Sequence, residues 1–160
     1  CYASVMCFQK EIDMDNRVRN LKTVDSCAKF RKNALRLGES DLAQQAQVRA
    51  IEIRAELYGC QTMAEKLSLE AVYAYEAILT KKNGKTTRAS RTWQMIKRHG
   101  IIEAVERAVN RESVTQGYTA LVEMGLEKYA FEAVILKYPK LFSIDAVKKS
   151  EERMNIWLRT

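Results

Sequence analysis

The sequence predicts an all-α fold, and three observations carry that expectation. One proline and six glycines in 160 residues are too few breakers for the tight turns of a sandwich or a barrel. Apolar residues recur at three- and four-residue spacings through most of the chain, and no stretch alternates over a strand's length. Nearly every periodic stretch is bounded by a capping residue or a glycine. Together these predict one compact multi-helical domain over 1–160, with about seven to eight helices. Within it, 1–22 is a weakly periodic segment, 24–59 a helical pair, and 62–158 a helical array carrying a basic loop at 81–99.

Val24 to Leu37 reads as the first clear helix, with Asp25 or Ser26 as its cap and Gly38 as its stop. Ser40 is the expected cap of the second. Its apolar face runs Leu42, Ala46, Ala50, Ile53 and Leu57 until Gly59 ends it. Thr62 and Glu65 stand at capping-box spacing and open a third helix. Ala71, Val72, Tyr75, Ile78 and Leu79 form its stripe, and Asn83-Gly84 closes it. Asn-Gly is also a hairpin signal, but no alternating run flanks this one.

Ser90 is placed to cap a short helix to His99, with Gly100 as the turn into a helix striped by Ile101, Ile102, Val105, Ala108 and Val109. Ser113 with Gln116 is a second capping box, on a helix that Gly125 ends. Tyr129 to Lys137 follows, stopped by Pro139, and Ser143 caps a last helix with Val147, Met154 and Trp157 on one face. A faint 25-residue repeat matches Trp93, Ile96, Gly100, Ile101 and Ala108-Val109 to Tyr118, Leu121, Gly125, Leu126 and Ala133-Val134. It would stack two αα-hairpins in the C-terminal half.

The charge is unevenly placed. Lys and Arg number 27 against 20 Asp and Glu, a formal +7. The 26 residues from Ala77 to Ile102 contain no carboxylate, yet hold Lys81, Lys82, Lys85, Arg88, Arg91, Lys97 and Arg98. The rest of the chain is therefore neutral. A concentrated positive potential points to a polyanion, nucleic acid first. Thr87 and Ser90 add neutral phosphate donors to the same segment. The amides opening a helix at Ser90 to Thr92 offer a phosphate both hydrogen bonds and partial positive charge. Arg88 and Arg91 can each grip phosphate, or guanine, through two N–H groups. Against this stands the ordinary case, a solvated cationic surface answered by acids elsewhere.

Two further residues invite a functional reading and receive a structural one. Trp93, three residues before Ile96 on an amphipathic helix, is expected in the core rather than stacked on a base. His99, just before a helix-ending glycine, suits the negative end of the helix dipole better than catalysis.

Enzyme signatures fail: GxxxxGK[ST], GxGxxG, HExxH and GxSxG are all missing from the sequence. Glu70, Glu76, Glu103 and Glu106 flank the basic segment, where a carboxylate could activate water in a nuclease or stabilise a sugar cation in a glycosylase. Ordinary surface carboxylates explain them more simply. Cys1, Cys7, Cys27 and Cys60 have no paired spacing and only one His to join them, so neither a metal nor a cofactor is expected. Reduced, buried Cys27 and Cys60 suit the cytoplasm, nucleoid or nucleus. The chain starts without an initiator Met or a signal-peptide core, which leaves open a fragment or a start near Met14. No run reaches the ~18 apolar residues that a membrane span needs.

The sequence thus favours a non-enzymatic nucleic-acid-binding domain, DNA before RNA, with its contacts at Lys81, Lys82, Lys85, Thr87, Arg88, Ser90, Arg91, Lys97 and Arg98. The alternatives are a helical module docking an acidic protein partner and, further off, a DNA-processing enzyme using a flanking glutamate.

Overall fold

The computed structural model describes residues 14–111, 119–121 and 125–157, with backbone alone for 156 and 157. Of these residues 79% are helical and none is in a strand. The all-α expectation holds. No helix among them is long and apolar enough to cross a membrane. Two compact units divide within one helix, between Ile53 and Arg54.

The first unit begins with a short helix, α1 (Asn16–Arg19), in the segment that periodicity left undefined. Asp15 caps it: one carboxylate oxygen accepts from the Arg17 amide at 2.8 Å, and the Arg17 guanidinium closes on both oxygens. Those hydrogen bonds and the adjacent charge hold the Asp15 carboxyl at about 2, below its ordinary 3.8, against a smaller opposing desolvation. Next comes α2 (Val24–Arg36), capped by Thr23 and not by Asp25 or Ser26. The Thr23 hydroxyl accepts from the Ser26 amide and the Ser26 hydroxyl from the Thr23 amide, so both expected caps lie inside the first turn. Gly38, at φ 77°, ends the helix as expected. The Glu39 amide reaches back to the Ala34 carbonyl and the Gly38 amide to Leu35, a Schellman closure.

Helix α3 (Ser40–Tyr58) takes its expected cap, Ser40, as its first helical residue, since the Glu39 carbonyl already accepts the Ala43 amide. Its side chains tie down what precedes it. The Asp15 amide donates to Gln45, and Arg49 donates to the Leu21 carbonyl. Val18, Cys27, Ala34, Ala43, Ala46, Val48, Ile51 and Ile53 are buried in this unit. Burial also pushes the Cys27 thiol up, as an inert core sulfur requires. The predicted face of α3 was too narrow, and its last member was wrong: Leu57 is 77% exposed.

In the second unit, α4 (Met63–Asn83) has both its predicted ends. The Thr62 hydroxyl accepts from the Glu65 amide while the Glu65 carboxylate accepts from Thr62, and Gly84 closes the helix at φ 67°. Ser68 to Val72 are buried without interruption, so this helix is central rather than one-faced. The Ser68 hydroxyl meets its own helix at the Ala64 carbonyl. After the basic loop come α5 (Ser90–His99) and α6 (Ile101–Val109), hinged at Gly100. A 3-10 turn, Glu127–Tyr129, precedes α7 (Phe131–Lys137); another, Pro139–Leu141, precedes α8 (Ile144–Trp157). Tyr129 is thus cut off from its predicted helix by the extended Ala130, at ψ 152°. Ser143 does cap α8, accepting from the Ala146 amide.

Helix α6 packs against α4, α5, α7 and α8. One core gathers Ala55, Leu69, Val72, Ala89, Ile96 and Ala104; another gathers Val105, Val109, Ile135 and Ala146, with Phe131 packed against both. Fully burying a Leu or Ile side chain stabilises by roughly 1.5–3 kcal/mol, so these few positions hold the array together. A buried ion pair joins α7 to α8: Arg153 donates to Glu132 at 2.9 Å and to the Arg111 carbonyl at 2.9 Å. The buried line of α8 is accordingly Ala146, Ser150 and Arg153, with Val147 and Met154 half-buried beside it. The Ser113–Gln116 capping box, Tyr118 of the repeat and the Trp157 side chain lie outside the described residues. In the rest of the repeat, Ile96 and Leu121 are both buried and Gly100 and Gly125 both take positive φ. The helix after Gly100 starts at once, whereas α7 waits until Phe131.

Candidate functional site

The carboxylate-free segment runs from the last two turns of α4 through a loop into α5. That loop is folded back on α4. The Thr87 amide donates to the Thr80 hydroxyl at 3.0 Å, the Thr87 hydroxyl donates to the Lys85 carbonyl, and the Asn83 side chain donates to Thr87. The Thr87 hydroxyl, half-buried, is therefore committed to the loop. Lys81, Lys82, Lys85, Arg88, Ser90, Arg91, Lys97 and Arg98 are all exposed.

Helix α5 is sharply two-faced. Ile96 is buried and Thr92, Trp93 and Met95 are half-buried, while Ser90, Arg91, Gln94, Lys97 and Arg98 face outward. Arg91 and Arg98, seven residues apart, share one line along the helix, about 10 Å from Cα to Cα. Arg91, Lys97, Arg98, Lys81, Lys82 and Lys85 form no ion pair with a described residue. Helix dipoles account for part of the cluster. Lys81 and Lys82 sit in the last turn of α4, and Lys97, Arg98 and His99 in that of α5, where positive charge is favoured. Arg91, in the first turn of α5, stands at the unfavourable end, and no acidic residue accompanies it there.

The start of α5 differs from its prediction. Ala89, not Ser90, is the N-cap and supplies no side-chain acceptor; Ser90 is the first helical residue. A distant carboxylate replaces the local hydroxyl. Glu76 of α4, only 7% exposed, accepts from the Ala89 amide at 2.9 Å and from the Trp93 indole N–H at 2.6 Å. Arg88 lies 3.9 Å from the same oxygen. An anion thus already stands at the entry to α5, held by the Ala89 amide.

Around Trp93 lies an aromatic and guanidinium cluster. Tyr58 stacks on it with centroids 5.4 Å apart and planes at 30°, and Tyr73 meets it tilted at 5.3 Å. The Arg88 guanidinium sits 5.4 Å over the indole and that of Arg54 sits 6.0 Å over Tyr73. Burial, then the Glu76 charge, pushes the Tyr73 hydroxyl up, with Arg88 and Arg54 opposing, so it stays protonated at neutral pH. Trp93 packs on the core, as its helical position predicted.

The other flanking carboxylates are also engaged. Glu103 accepts from Arg107 at 2.7 and 2.9 Å, and those hydrogen bonds and charge hold its carboxyl below the usual range. Glu106 accepts the Ser143 amide. Both line an open groove with Met95, His99, Arg107 and Arg111. His99 leans on Glu103 at 3.9 Å. No group of His, Cys, Asp and Glu among the described residues could hold a metal ion.

Sequence reasoning missed the stack of Tyr58 on Trp93 and the inward turn of Glu76. Nothing local marks either, because each partner comes from another helix. The chain matches no protein-family model, no curated protein and no solved structure.

Proposed function

We infer that this protein binds nucleic acid, with the outer face of α5 and the preceding loop contacting phosphates. The observation that carries the reading is a mismatch of pairing. Glu76, the carboxylate at the start of α5, is turned inward and spent on Ala89 and Trp93, while Arg91, Lys97 and Arg98 stand outward with no acid on their helix. An exposed cationic face left without a counter-charge gains most from a partner that carries many anions. Arg91, Arg98, Lys97, Lys81, Lys82 and Lys85 are the phosphate contacts in this reading. Ser90 adds a hydroxyl, and Arg88 works from its position over Trp93. The contacts are to backbone rather than to base edges, so discrimination among duplex sequences is modest.

The test is binding to a short duplex over a range of salt concentrations. With four to six phosphates neutralised, log K should fall against log salt with a slope of roughly −4 to −5. A slope near zero, or no affinity at low salt for either duplex or single strand, overturns the reading.

A further inference from the structure

We propose that Tyr58 is a stacking platform for an unpaired nucleobase, so that the protein takes single-stranded nucleic acid in preference to duplex. This inference rests on the nucleic-acid reading and specifies its substrate class. Tyr58 keeps 47% of its surface exposed although it stacks on Trp93. The ring beneath it is held in place. Trp93 is anchored by its indole N–H to the buried Glu76 carboxylate, braced by Tyr73 and covered in part by Arg88. An aromatic ring fixed by such packing has already lost its rotamer freedom, so adding one more ring to the stack costs little ordering entropy.

Charge places the phosphates beside the base. Arg88 belongs both to the carboxylate-free segment and to the aromatic cluster, with its side chain 69% exposed. Arg54 supplies a second guanidinium next to Tyr73. Aromatic rings interleaved with guanidinium groups, continuous with a cationic helix face, are the arrangement that reads single strands through their π-faces and backbone. A base inside a duplex is stacked on its neighbours and has no free face for Tyr58. The shared chemistry of the ligand is an unpaired base on a phosphodiester chain, in DNA or RNA.

Fluorescence anisotropy with four labelled probes of equal length tests this: oligothymidylate, oligouridylate, a matched duplex and an abasic phosphodiester. The wild-type protein should bind both single strands more tightly than the duplex and the abasic chain. Tyr58→Ala should weaken the two single strands about tenfold and leave the duplex and abasic chain unchanged. Tyr58→Phe should retain wild-type affinity, and Leu57→Ala, at the still more exposed neighbouring residue, should change nothing. A difference between oligothymidylate and oligouridylate would assign the sugar. Equal loss on all four probes, or no loss in Tyr58→Ala, overturns the stacking role while leaving the phosphate reading intact. Failure of every probe to bind overturns both.

Discussion

Glu76 shows how one residue changes its meaning between sequence and structure. By spacing it is a carboxylate on the rim of a cationic segment, open to a catalytic reading. In the fold it is a buried acceptor serving two donors, the Ala89 amide and the Trp93 indole. Glu76→Ala would leave both donors without a partner in a site that admits little water. At about 1–3 kcal/mol for each, the expected loss is about 2–6 kcal/mol. Glu76→Gln keeps an acceptor oxygen and should lose about 1 kcal/mol. Urea denaturation followed by Trp fluorescence measures both, and equal small effects would show that the carboxylate is not structural. The same contact explains why the cap at Ser90 was misread. A hydroxyl at a helix start is the ordinary solution, and sequence carries no sign that an acceptor thirteen positions earlier has taken its place.

At the scale of the element, the readable features are those whose partners lie within a turn or so. The α4 capping box and its glycine stop needed only Thr62, Glu65 and Asn83-Gly84, and both appear as read. The Gly38 stop is equally local. Thr62→Ala should then lower stability by about 1 kcal/mol. Gly84→Ala should cost about 1 kcal/mol through backbone strain alone, because a Cβ there meets nothing within 4 Å. Denaturant midpoints for the two variants check this, and a larger loss at Gly84 would point to a contact that geometry does not show. What was misread depended on distance. Leu57 fits the apolar period of α3 but stands exposed, because periodicity says which side of a helix a residue is on and not how far its packing partner extends. Tyr58, the next residue, meets Trp93 on another helix, and no spacing rule links them. Thr23 was overlooked for the opposite reason: the box it forms with Ser26 uses two hydroxyls rather than the usual acidic partner.

Over the whole molecule, the helical class followed from composition and period, since these sum over many residues and survive individual misreadings. The position of the charge was equally legible, because +7 in 26 residues is a property of sequence alone. Its arrangement was not. Only packing shows that Arg91, Lys97 and Arg98 stand outward without an ion pair to a described residue, or that Glu76 turns inward to Ala89 and Trp93. The central claim is that this outward charge binds phosphate, and one comparison tests it most directly. Arg91, Lys97 and Arg98 are replaced together by Gln, which keeps helix propensity and removes three charges. Lys22 and Lys32, outside the carboxylate-free segment, are replaced likewise as a control. The salt dependence of nucleic-acid binding should flatten by about two to three units in the α5 variant and stay unchanged in the control, with circular dichroism the same in both. An α5 variant that keeps the wild-type slope and affinity would contradict the claim.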